Sequence, residues 1–366
     1  MDQKIPYINL SAQWEDEKED LLPIIENVFS SGQYILGQEV ENFENLVCEY
    51  FNVDHCVALN SGTDALILAL YAVGVRSGDE VITPPNSFIA STSSITHIGA
   101  KPVFIDVQQD QNLDPRKIEA LITNKTKAIM PVHLTGRVCE MDTIMDISRK
   151  YGLLVIEDAA QSAGSKYLEK YSGAWGDIGC FSAHPLKNLN ASGDSGFITT
   201  NNSNFSDEIR LMSNHGLIGR DTIERFGIVS RMDALQAAIL SYRIKKLSAV
   251  IKLRRKNANL YFNLIQSNDV FIPPETKGEF NSYHTFVIQV EERDKLKDYL
   301  MSKGIETAIH YPIPIHKQPV CSANNYPAYP NTESQSERIL TLPIHQYLHD
   351  NDISRVSEEI NNFYKR

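Results

Sequence analysis

Between Phe43 and Phe197 the apolar and polar positions repeat one order: a stretch with apolar residues at helical spacing, a short β-branched run, a polar turn, then another helical stretch. That order predicts βα units. In Cys56–Leu59, Glu80–Thr83, Pro102–Ile105, Ala128–Pro131 and Leu154–Ile156 the apolar residues are consecutive rather than alternate. Such runs predict strands buried on both faces of a mainly parallel sheet. From Met232 to Val250, Ala237, Leu240, Ile244 and Leu247 recur at helical spacing and lead into the basic stretch Lys252–Lys256, predicting a long helix that crosses to a second domain. Beyond about residue 250 come a short strand at His284–Ile288, an amphipathic helix around Lys295–Ser302 and a Pro-rich loop, which predict a smaller α+β unit. The expected division is a large domain over 1–245, with the N-terminal segment, and a small one over 246–366.

Composition narrows the function classes. The 366 residues are 42% hydrophobic and 22% charged, ordinary for a globular chain with a sizeable core. A net charge of -11 argues against a nucleic-acid surface, which needs clustered Lys and Arg. The start, Met-Asp-Gln-Lys-Ile-Pro, lacks a signal-peptide pattern, and no apolar run approaches the roughly 20 residues of a membrane span, so a cytoplasmic protein is expected. The five cysteines are scattered without a CxxC pair, so they read as buried free thiols, with no disulfide framework and no metal site.

Three segments carry candidate chemistry. In Asn60-Ser61-Gly62-Thr63-Asp64 a strand ends and a helix begins, so backbone N–H groups, two hydroxyls and a glycine could cradle an anion; Ser61 equally suits a plain helix N-cap. Leu154–Gln161 is a buried strand that delivers Glu157, Asp158 and Gln161 at its C-terminal end, where open α/β sheets place ligands. One carboxylate there could keep a ring nitrogen protonated, or Asp158 could merely cap the next helix. After the apolar run to Ser182 comes Lys187, in a loop of small residues; burial would lower its pKa and leave a usable amine, although most lysines lie on solvated surfaces. The turn at Asn60–Thr63 lacks the GxGxxG of a dinucleotide site.

The ordered set NSGTDAL, EDAAQ, FSAHPLKNL with GDSG, SRMDALQAAIL and HYPIPIHKQP resembles the DegT/StrS sugar aminotransferases, from about Tyr34 to the C-terminus. The resemblance implies the aspartate-aminotransferase type of α/β fold: a large domain with a mainly parallel seven-stranded sheet flanked by helices, plus a smaller C-terminal α+β domain. It implies pyridoxal 5'-phosphate as cofactor, joined to Lys187, which later moves a proton between the substrate carbon and C4′. Asp158 would pair with the pyridinium nitrogen, Gln161 would contact the ring hydroxyl, and Phe88 would stack on the ring, unless it is a plain core aromatic. Ser182, Gly62 and Thr63 would bind the phosphate, with Ser61 beside them. His184 would stand near the Schiff base and help with proton traffic, or be buried for packing.

The same resemblance implies a homodimer with shared sites, the crossing segment being Ser230–Asp233 with Arg231. Three departures stand out: Val229 where Asn is usual, Asp194-Ser195-Gly196 where a glycine pair often closes the lysine loop, and Thr135 where an aromatic is common. Tyr34, His215, Arg231, His310, Tyr311 and His316 would line the sugar pocket. The implied reaction is transamination of a keto-sugar, nearest to a nucleotide-linked 3-keto-(6-deoxy)hexose, with L-glutamate as donor, in amino-sugar or surface-glycan biosynthesis. Amination at C4, a smaller phosphorylated ketone, or a non-catalytic regulatory role are the alternatives. A sugar 3-dehydratase would carry His in place of Lys187.

Overall fold

Each consecutive apolar run of the first half becomes a strand. In the computed structural model, which describes residues 4–365, β1 (His55–Leu59), β2 (Glu80–Thr83), β3 (Lys101–Phe104), β4 (Thr126–Ile129) and β5 (Leu154–Asp158) follow in order. A small hairpin of β6 (Lys166–Tyr167) and β7 (Lys170–Tyr171) precedes β8 (Ile178–Ser182) and β9 (Gly196–Thr200). Seven of them form one sheet in the order β1-β9-β8-β5-β4-β2-β3. Only β9 runs against the rest, so the sheet is mainly parallel.

Two-sided burial explains the continuous apolar runs, because successive strand residues point to opposite faces. Val155 enters a core with α5 (Met141–Tyr151), while Ile156 enters another with α3 (Gly62–Ala72), α4 (Ile89–His97) and α6 (Ser203–Met212). On the same side as α5, α2 (Gln38–Phe51) adds Phe43 and Phe51 to Phe181 and Phe197, which stack at 4.6 Å across β8 and β9. Before it lies α1 (Leu10–Ser31), capped by the Asn9 side chain and closed by Gly32 at φ +69°.

The long helix, α7 (Ala234–Leu264), runs further than its first apolar stripe predicts. Its first half puts Leu240, Ile244 and Leu247 into the core beside α2, and its last turns put Ala258 and Tyr261 into a second core. That core is built by an antiparallel sheet of β10 (Val270–Phe271), β12 (Phe286–Val290) and β13 (Ile339–Leu342), with α8 (Arg293–Ser302) and α10 (Asp350–Tyr364). Ile5 joins it by bridging Ile305. Two further elements, β11 (Glu279–Phe280) and α9 (Pro330–Arg338), complete this half, β11 pairing with β6. β12 starts two residues later than its apolar run, since the His284 carbonyl accepts from Arg254 instead of entering the ladder. Four of the five thiols are buried, and all five are free. Among the described residues no helix is long and apolar enough to cross a membrane.

Candidate active site

The parallel strands deliver their C termini to one edge of the sheet, and the candidate residues meet there. β1 leads through Ser61 into α3, β2 through Phe88 into α4, β5 ends at Asp158, and β8 ends at Ser182 ahead of Lys187. Between them lies a cavity of about 380 Å³, closed by His284, His310, Tyr311 and His345 of the C-terminal half and by Tyr7, Asn9 and Gln13 near the N-terminus.

The cradle follows from how α3 begins. Ser61 Oγ accepts from Asp64 N at 3.1 Å, and Ser61 O accepts from Ala65 N at 3.1 Å. Ser61 is therefore the cap, while the N–H groups of Gly62 and Thr63 precede the first helical bond and face the cavity end. A Cβ on Gly62 would lie 2.7 Å from Ser182 Cβ, and one on Gly196 would lie 2.4 Å from the Ser61 carbonyl carbon. These two glycines let α3, β8 and β9 meet at backbone distance, which brings Thr63 and Ser182 to the same cavity.

At the end of β5 two successive acids face opposite ways. Glu157 is fully buried, accepting from Gly173 N, Trp175 N and Gly176 N at 2.7–2.8 Å and from His133 Nε2 at 2.8 Å. Cys139 N donates to His133 Nδ1, so the ring proton sits on Nε2, toward Glu157. That acid serves the fold. Asp158 faces the cavity, accepting from Ser91 Oγ at 2.6 Å and Ala160 N at 3.2 Å. Burial raises its pKa despite those bonds and the nearby Lys187.

Lys187 sits in a loop that Ala191 N closes onto Ala183 O at 2.7 Å. Asn190 and Gln13 exchange two amide bonds of 3.0 Å, and Arg243, paired with Glu17, donates to Asn190 O, so α1 and α7 both hold the loop. Among the described residues nothing hydrogen-bonds Lys187 Nζ. Its side chain keeps some area on the cavity, yet protein surrounds it closely enough that desolvation lowers its pKa to about 8, against the opposing pull of Asp158. Burial also pushes His310 down to about 4 and His284 well below its ordinary value, Lys187 adding to both, so these walls are neutral at pH 7.

The remaining expected residues divide. Gln161 Oε1 accepts from Thr135 N at 2.8 Å, and its amide nitrogen reaches Tyr311 Oη at 3.4 Å. Phe88 is no core aromatic: it is 55% exposed at the cavity wall, 5.8 Å from the Tyr311 ring. His184 borders the cavity too, but it is an exposed ring whose Nδ1 accepts from Leu186 N, not one buried for packing. Tyr34, His215, Arg231 and His316 do not border the cavity of this protomer. Tyr34 is half exposed, and Arg231 bonds Asn214. His316 is a correction to the expected pocket: its ring packs on Tyr329 at 4.8 Å and Nε2 meets Glu333 at 3.1 Å, because the Pro-rich loop turns away after Tyr311.

Several cavity residues escape the sequence pattern. Arg254 and His345, both buried, and the half-buried His284 are brought in by α7 and the small sheet, and Tyr7, Asn9 and Gln13 come from the N-terminal segment. Only Asn9 carries a local signal, as a cap before an apolar-periodic stretch.

A desolvated amine and a buried acid on one cavity, with helix-start N–H groups and an uncovered aromatic ring, suit pyridoxal phosphate in their donor groups. Fold and site together define a pyridoxal-phosphate-dependent aminotransferase. The chain belongs to the DegT/DnrJ/EryC1/StrS aminotransferase family, which matches residues 15–361. It is 38% identical to a pleiotropic regulatory protein of Geobacillus stearothermophilus, over 99% of both chains. It is also 38% identical to the UDP-N-acetyl-3-dehydro-alpha-D-glucosamine 3-aminotransferase of Acidithiobacillus ferrooxidans, over 97% of both. Among solved structures, DesV of Streptomyces venezuelae in complex with a ketimine intermediate superposes with a TM-score of 0.97, at 34% identity and 99% coverage of both chains.

Proposed function

We propose that this aminotransferase moves an amino group from L-glutamate to C3 of a nucleotide-linked 3-keto-(6-deoxy)hexose, a step of amino-sugar or surface-glycan biosynthesis. The observation that carries the chemistry is Lys187: an amine with no hydrogen-bond partner among the described residues, its pKa lowered to about 8 by burial, on the same cavity as Asp158. The C3 and nucleotide parts rest on the relative that aminates a UDP-linked 3-dehydro sugar.

Each side chain then has a task. The Gly62 and Thr63 N–H groups with the Thr63 and Ser182 hydroxyls hold the cofactor phosphate, and Ser61 keeps that helix end formed. Asp158 would pair with the ring nitrogen and keep it protonated, Gln161 would meet the ring hydroxyl, and Phe88 would cover the ring. Pyridoxal phosphate bound there supplies the electron sink for a carbanion at the reacting carbon. Lys187 Nζ, as a free amine, would be the base that accepts the proton from the donor's α carbon and the acid that gives one back to C4′. Ser91, donating to Asp158 Oδ2, fixes the acid's orientation. His184 at the rim is the secondary proton carrier, and His310 and Tyr311 orient the sugar.

The site is completed by a second copy of the chain. A hairpin between Asn214 and Ser230 exposes Ile218, Ile223, Phe226 and Val229. We place it, with His215, Arg231 and Tyr34, against the partner's cavity, Val229 substituting an apolar contact for an amide.

The test is a coupled assay of glutamate consumption with nucleotide-linked 3-keto and 4-keto sugars and small phosphorylated ketones. Turnover is expected with the 3-keto sugar and none for Lys187→Ala, which also loses the visible band of lysine-bound cofactor. Activity confined to 4-keto sugars or to phosphorylated ketones overturns the C3 assignment.

A further inference from the structure

Five residues that line this cavity each carry a buried polar atom without a hydrogen-bond partner: Asn188 Oδ1, Arg254 Nε, His284 Nδ1, His345 Nδ1 and Gln346 Oε1. Unsatisfied buried polar atoms are rare in folded proteins, so five around one cavity point to a polar ligand there. The charge in that cluster is Arg254. It projects from α7 and is only 8% exposed. Nη1 donates to Tyr283 O at 3.1 Å and to His284 O at 3.2 Å, which fixes the plane of the guanidinium. Neither Nε nor Nη2 has an acceptor among the described residues, and no carboxylate pairs with the group.

A buried cation without a counter-ion is strongly disfavoured. Its neighbours on α7 contrast with it: Arg255 pairs with Glu275, and Lys256 with Asp350. The groups that face Arg254 are phenols and imidazoles, Tyr7, Tyr347, His284 and His345, none of them anionic at neutral pH given the directions in which burial shifts Tyr7, Tyr347 and both histidines. His284 is also within electrostatic reach of both Lys187 and Arg254, so the cation lies on the same cavity as the reacting amine. Nε and Nη2 are adjacent donors on one edge of the guanidinium, and two such donors match the two oxygens of a carboxylate.

We propose that Arg254 is the carboxylate-binding residue of this site, receiving the carboxylate of an amino-acid donor or of a uronate acceptor through its Nε–Nη2 edge. This rests on the aminotransferase reading above, but it can fail or stand independently of glutamate as donor.

The test separates binding from turnover. Glutarate, a dicarboxylate without an amine, is titrated calorimetrically into wild-type, Arg254→Met and Arg254→Lys holoenzyme. Loss of a charge-assisted carboxylate contact is expected to weaken binding about tenfold or more in Arg254→Met, with Arg254→Lys intermediate. Arg254→Lys keeps a donor toward the Tyr283 carbonyl, so it reports on binding if Arg254→Met folds poorly. Single-turnover half-reactions then identify the source. A raised half-saturating glutamate concentration, with amination of a neutral keto-sugar unchanged, assigns the carboxylate to the donor; a loss confined to a keto-uronate assigns it to the acceptor. Glutarate affinity unchanged within twofold overturns the proposal, and so does an equal loss with the neutral sugar, which would mark a purely structural residue. A wild-type enzyme that binds glutarate through Arg254 yet does not react with glutamate refutes the donor and leaves this role standing.

Discussion

At pH 7 an amine with a pKa of about 8 is neutral about one-tenth of the time, against roughly one part in three thousand at the ordinary 10.5. Burial of Lys187 therefore prepares a nucleophile, and it has a consequence for stability. In the cofactor-free protein the charged amine is disfavoured, so the fold bears that cost in full below about pH 8. Between about 8 and 10.5 the unfolded chain binds the proton and the folded chain does not, so stability rises with pH through that window. Measured by thermal denaturation without cofactor, the stability of Lys187→Met relative to wild type should be highest below pH 7 and fall as pH climbs past 8; a pH-independent difference would refute it. Lys187 stood out in the sequence because it closely follows a buried run, in a loop of small residues where a charge is conspicuous. Arg254 did not, since four basic residues in the five of Lys252–Lys256 read as a solvated helix face, and only the turn of α7 under His284 buries Arg254.

The elements matter here through how closely they approach. α3 and β8 touch at Gly62 and Ser182, and an added methyl at Gly62 would meet Ser182 Cβ at 2.7 Å, with Ser182 Cα at 3.0 Å behind it. Backbone cannot swing aside as a side-chain tip can. Gly62→Ala should therefore push the start of α3 from β8, cost about 1–3 kcal/mol as overpacking, and weaken cofactor affinity well beyond what that loss explains. Denaturant unfolding and a cofactor titration of the same variant check the two halves; unchanged cofactor affinity would show that the cradle tolerates the shift. The first five strands of this layer were legible from apolar runs to within about two residues, because two-sided burial leaves a strong local signal. Which acid of the Glu157–Asp158 pair faces the cavity was not, since pleating puts one on each face and the pattern alone does not say which side the ligand takes. The hydrogen bonds from Gly173, Trp175 and Gly176 to Glu157 decide it.

For the whole molecule the question is what covers the hairpin between Asn214 and Ser230. Its backbone is built to be compact: Gly216 has φ +72°, and a Cβ there would lie 1.8 Å from the Arg225 carbonyl oxygen, so the two arms can cross closely only with glycine. Yet this ordered turn presents Phe226 at 98% exposure, with Ile218 and Ile223 beside it. Single exposed apolar residues are common, but several on one closed hairpin mark a contact surface. A second copy is the occupant proposed above, because His215 and Arg231 flank the same hairpin and miss their own cavity. Phe226→Asp removes apolar surface and adds a charge without touching either core, so the unfolding free energy of the dissociated chain should stay within about 0.5 kcal/mol of wild type. Sedimentation equilibrium should show a dimer in wild type and a shift toward monomer in the variant, with turnover falling in step as the partner's Arg231 segment leaves the site. A wild-type monomer with full activity would contradict the shared site, and an undisturbed dimer in the variant would move the contact elsewhere on the surface.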